Sequence, residues 1–91
     1  MSKARVLESQ VMHLIQTERI QQDEKWGEQN HSAALWTVIL GEEFGEFCKA
    51  TLDNKPDDQL YELIQVAAVA HAMIECYLRN QGFPKGEPDA N

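Results

Sequence analysis

Three observations in the amino-acid sequence predict an all-α protein, an antiparallel helical bundle with three helices per chain. Apolar residues recur every three to four positions in three long stretches, and the connections between them carry the punctuating residues Gly27 and Pro56. No run alternates apolar and polar residues as a half-buried strand would. The 91 residues fit one domain, with an ordered core over about residues 4–81 and a tail over 82–91. A chain of this length buries only about 60 to 65% of the surface its unfolded form exposes. One three-helix core is therefore marginal, and the expectation is a core completed by homo-oligomerisation, as a dimer or a dimer of dimers.

The first helix is expected from about Lys3 to Lys25, where Val6, Leu7, Val11, Leu14, Ile15 and Ile20 fall at helical spacing. Its second half, Gln16 to Lys25, is strongly polar, so only part of it can enter a core. Gly27 is a stop signal just past Trp26. Ser32 is the N-cap candidate for a second helix over Ala33–Leu52, in which Gly41 and Gly45 each cost up to about 1 kcal/mol of helix propensity. These glycines either admit a close neighbour or are simply tolerated. The turn Asp53–Asp58 places Pro56 to open a third helix, about Asp57 to Asn80, with Asp57 and Asp58 near its positive end. That helix is apolar almost all round between Leu63 and Ile74, which implies burial on more than one face and points to a partner subunit. Gly82 and Pro84 end it.

Composition narrows the function. A formal charge of −7 argues against gripping a nucleic-acid backbone, which needs clustered Lys and Arg, and an anionic substrate would need a cation between. No apolar run reaches the roughly 18 residues that suggest a membrane span. The N-terminal segment is amphipathic, with Glu8, Gln10 and His13, and lacks an uninterrupted apolar signal region. Cys48 and Cys76 show neither paired-thiol nor zinc spacing and read as buried free thiols, so a reduced cytoplasm is expected.

The second helix carries carboxylates inside an apolar run. At about 100° per residue, Trp36, Leu40, Glu43, Phe47 and Ala50 share one side, which puts Glu43 in the apolar stripe with Glu46 flanking it. A buried carboxylate needs a partner charge or a metal ion. In the third helix Glu62 and Gln65, three apart, make a second polar intrusion. Two such pairs facing one pocket bring four oxygen-bearing side chains together, a set suited to a hard cation such as Mg²⁺, with Mn²⁺ as the substitute. His71, Phe44, Phe47 and Met73 read as core or interface filling. Gly41 and Gly45 lack the lysine and strand of a phosphate-binding loop.

At these residues the chain resembles the all-α nucleoside triphosphate pyrophosphohydrolases of the MazG-like group, in a phage and bacterial branch. Their signature is Glu-Glu-x-x-Glu followed by Glu-x-x-Asp on the next helix. The first half stands complete as Glu42-Glu43-Phe44-Gly45-Glu46. The second stands as Glu62-Leu63-Ile64-Gln65, with Gln where Asp is usual. The stretch Glu18–His31 and the run Gln65–Ala70 are also similar, so the likeness covers about Glu18 to Leu78.

The resemblance implies that Glu43, Glu46 and Glu62 bind Mg²⁺ with Gln65 in the fourth position, where a neutral amide removes one negative charge and lowers metal affinity. It implies hydrolysis of a nucleoside or deoxynucleoside triphosphate to the monophosphate and pyrophosphate, with Glu46 as candidate base. Glu42, turned about 100° from Glu43, either supports the ligands from behind or is a solvated charge. By the same likeness Trp26, His31 and Trp36 are candidates to hold the nucleoside, although Trp36 at the head of the apolar stripe is equally a core residue. Lys49 either reaches a phosphate or pairs with a neighbouring acid. Two rivals stand beside this reading: a helical assembly module that lost catalysis through Gln65, and a phosphoribosyl-ATP type of pyrophosphohydrolase.

Overall fold

The computed structural model describes residues 2–86, and it is all-helical: α1 (Lys3–Trp26), α2 (Ala33–Leu52) and α3 (Pro56–Asn80), with no strand among the described residues. The termini follow from local chemistry. Ser2 Oγ accepts from the Arg5 amide and Ser32 Oγ from the Leu35 amide, each satisfying a first-turn N–H. Gly27, at φ 73°, ends α1 in a conformation an L side chain disfavours, and its N–H donates to Asp23 O at 2.8 Å. Pro56 opens α3 with Asp57 and Asp58 in the first turn, and Gln81 (φ 56°) and Gly82 (φ 125°) turn the chain out of it.

α3 is the central element, packed along both α2 and α1, which accounts for its lack of a fully polar face. Trp36, Val69, Ala72 and Cys76 form the core cluster, with Ile39, Leu40, Met73 and Phe83 packed around it. Phe83 also meets Tyr77 edge-on at 5.3 Å. Ordered packing therefore runs beyond residue 81, where the sequence suggested that a tail begins; the aromatic ring at 83 gains burial by folding back. The remainder of that expected tail, 87–91, lies outside the described residues.

Two further expectations are corrected. Phe44 is 56% exposed and outside the core, because it lies on the side of α2 away from α3, beside half-buried Phe47. Cys48 is only half-buried, whereas Cys76 is fully enclosed; both thiols are free. A Cβ built at Gly41 or Gly45 meets nothing within 4 Å, so neither position serves a close approach between the described residues of this chain.

α1 is tied to α3 by Arg19, whose side chain is 12% exposed and which pairs with Glu75 across the interface and with Asp23 at 3.1 Å. Burial works against its charge, yet the two acids outweigh that and raise its pKa further. Both partners are half-exposed and rehydrate readily when left alone, so the loss falls short of that for a fully buried pair. Arg19→Met, which keeps the apolar stem, is expected to cost about 1 to 2 kcal/mol in urea unfolding. At the other end, Arg79 donates to Gln29 O (3.0 Å) and Asn30 Oδ1 (2.9 Å), pinning the α1–α2 connection to the end of α3.

Candidate metal centre

Glu43 and Glu46 lie one turn apart on α2, and Glu62 faces them from α3. One carboxylate oxygen from each lies within 4.8 Å of the others. Six-coordinate Mg²⁺ at about 2.1 Å places opposite ligands about 4.2 Å apart, so small side-chain rotations bring this set to bonding distance. The chemistry of the donors also fits, since all three are hard oxygens. Glu62 Oε2 is buried without a hydrogen-bond partner, as expected of an acceptor waiting for a donor or a cation.

The electrostatics agree. Burial, followed by the neighbouring Glu46 carboxyl and the charges of Glu43 and Asp58, pushes the Glu62 pKa up to about 7. Glu43 is raised by burial first and then by Glu46, Glu42 and Glu18. A cation relieves this crowding and a proton relieves it in part. A carboxyl whose folded pKa lies above its unfolded value holds its proton more tightly when folded, so its contribution is complete below about pH 4.5 and is lost as pH rises to about 7. In EDTA, Glu62→Gln is expected to match wild type in Tm near pH 4.5 and to exceed it increasingly up to pH 8. A constant difference across that range refutes the assignment.

The acids line a cleft of about 520 Å³ walled by all three helices. Of the residues singled out in the sequence, Trp26, Trp36, Glu43, Glu46, Glu62 and Gln65 all line it. Trp26 is 62% exposed, with Lys25 Nζ 4.8 Å from its ring centre. Trp36 is only 1% exposed, so its ring is core and offers no open face. His31 does not line the cleft but stands behind its wall, edge-on to Trp36 at 4.8 Å and 3.3 Å from the Gln29 amide nitrogen. Lys49 pairs with Asp53 at 3.1 Å and Glu42 is exposed, and neither lines the cleft.

Beyond Trp26, the contribution of α1 was missed from the sequence. Glu18, Gln21, Gln22 and Lys25 line the cleft together with Gln29 and Tyr61. The signal was present: positions 18, 21, 22 and 25 form a polar stripe at helical spacing in the half of α1 too polar for a core. Glu18 acts at a distance, its charge adding to those that raise the pKa values of Glu43 and Tyr61.

Comparison with protein-family models, with curated proteins and with solved structures finds no match for this chain. No helix among the described residues is long and apolar enough to cross a membrane.

Proposed function

We propose that the chain is a Mg²⁺-dependent nucleoside triphosphate pyrophosphohydrolase of the MazG-like kind, releasing a nucleoside or deoxynucleoside monophosphate and pyrophosphate in the cytoplasm. The observation that carries this reading is the meeting of Glu43, Glu46 and Glu62 within 4.8 Å in a cleft that Lys25, Trp26 and the amides of Gln21, Gln22 and Gln29 also line. The acids alone would repel a triphosphate. Mg²⁺, or Mn²⁺ in its place, neutralises phosphate oxygens and orients the chain for in-line attack.

Within this proposal Glu43, Glu46 and Glu62 would hold the ion. Glu46, the most exposed of the three, takes a proton from the attacking water. The water oxygen bonds to the α-phosphorus, the bond to the α–β bridging oxygen breaks, and pyrophosphate leaves with that oxygen. Trp26, exposed apart from the Lys25 ammonium over its ring, offers an aromatic surface on which a base stacks, an interaction worth about 1 to 3 kcal/mol in single-stranded nucleic-acid complexes.

The same proposal includes an antiparallel bundle completed by a second copy of the chain. Leu60, Leu63, Ile74 and Leu78 leave an exposed apolar stripe on α3, and Leu7, Val11 and Leu14 do so on α1. The accessible surface is 6908 Å², against about 5,400 Å² expected for a monomer of this mass. The radius of gyration is 15.0 Å, against about 12 Å. That exposed stripe equally favours a purely assembling module as the second reading. Pyrophosphate release across a panel of nucleoside triphosphates with Mg²⁺, with Glu43→Gln as control, decides between them. Release that depends on Glu43 is expected, and release from no triphosphate leaves the assembling module. A fully folded monomer at micromolar concentration in light scattering overturns the oligomer.

A further inference from the structure

We propose that Gln65 is a nucleotide-binding residue and not a metal ligand: its amide N–H donates to a phosphate oxygen of the triphosphate held beside Glu43, Glu46 and Glu62. The inference rests on the metal-nucleotide reading above. Gln65 is the buried polar residue of the described core, 9% exposed, and it lines the cleft one turn beyond Glu62. Its Nε2 is enclosed and has no acceptor. Trp36 Nε1, on the facing helix and lining the same cleft, is likewise enclosed without an acceptor.

Buried N–H groups in folded proteins are almost always paired, and leaving one unpaired is costly. Two neutral donors without acceptors along one cleft therefore point to an acceptor that arrives from outside. A cation is not that acceptor, since N–H carries the wrong sign for it. A phosphate oxygen is. The part of the nucleotide nearest the carboxylates is its phosphate chain, and Gln65 adjoins Glu62 through the turn of α3. A carboxylate at position 65 would repel any phosphate oxygen not screened by the ion, whereas the amide attracts it. The glutamine thus exchanges some metal affinity for a direct hold on the substrate.

Gln65→Met separates the roles because it keeps length and shape while removing both donor and acceptor. Mn²⁺ binding is measured by calorimetry on nucleotide-free protein. Binding of α,β-methylene nucleoside triphosphates, which resist cleavage at the α–β position, is then measured with Mn²⁺ present. For Gln65→Met, the Mn²⁺ dissociation constant is expected to stay within about twofold and that of the analogue to rise about tenfold, the scale of one lost hydrogen bond. The Tm of the ligand-free protein is expected to rise by about 4 °C or more, because an unpaired buried amide is gone. Gln65→Glu should move the two affinities in opposite directions, tightening Mn²⁺ and weakening the analogue.

Weaker Mn²⁺ binding in Gln65→Met makes the residue a ligand and overturns the proposal. A lower Tm, or failure to fold, makes it a structural residue and overturns it too, as does unchanged analogue binding. Glu43→Gln keeps the underlying reading separate: if it binds Mn²⁺ like wild type, the metal centre itself is wrong. If wild type binds Mn²⁺ but no analogue, the nucleotide is wrong and the role of Gln65 falls with it.

Discussion

Glu43→Gln is expected to weaken Mn²⁺ binding about a hundredfold or more, since even groups one step removed from a metal change its affinity by 10- to 100-fold. Pyrophosphate release should fall with it. The same substitution should raise the Tm of the metal-free protein. Burial and the charges of Glu46, Glu42 and Glu18 all disfavour the ionised Glu43 side chain, so the isosteric neutral amide removes a repulsion that the empty fold must otherwise tolerate. The two effects have opposite signs, and that combination distinguishes the proposal from simple misfolding. A variant that loses activity together with stability would indicate a structural carboxylate. One that keeps both metal affinity and activity would remove Glu43 from the site. Titrating EDTA-treated protein with Mn²⁺, and following thermal unfolding of the same samples, reads both.

The helices were legible because their signals are local. Ser32 as cap, Pro56 at the start of α3 and Gly27 past the end of α1 are each decided within a few residues, and the structure places all three in those roles. Glu43 was legible for a different reason: a carboxylate in the middle of an apolar stripe is visible in the helical count alone. What the count did not supply is the third wall of the cleft. Gln21, Gln22 and Lys25 look like an ordinary solvated face until α1 is docked against α3, and that docking depends on Arg19 reaching Glu75, 56 residues away in sequence. The exposure of Phe44 has the same origin. Periodicity says that a residue belongs to an apolar arc, and packing decides which part of the arc meets α3. Lys49 pairs with Asp53, and Trp36 is enclosed by Val69, Ala72 and Cys76, contacts that helical spacing alone does not give.

Trp36→Ala is expected to have the largest effect on stability, about 3 to 5 kcal/mol, the usual cost of truncating a fully buried aromatic residue. A domain of this size has roughly 5 to 14 kcal/mol in all. The loss is therefore about a fifth of the total or more and corresponds to a fall in Tm of about 12 °C or greater. Trp36 is 1% exposed, and the residues around it belong mostly to α3, so the cavity left by alanine opens the α2–α3 interface that also positions Glu62 against Glu43 and Glu46. Trp36→Phe should cost much less, because most of the ring volume returns and an indole N–H that has no acceptor in the chain disappears. Trp26 is exposed and Trp36 is not, so in a Trp26→Phe background the blue-shifted emission of Trp36 follows the opening of this interface directly. If Trp36→Ala unfolds within 1 kcal/mol of wild type, the indole is not the centre of the core. The carboxylates of α2 and α3 would then be held together by something other than the packing around Trp36.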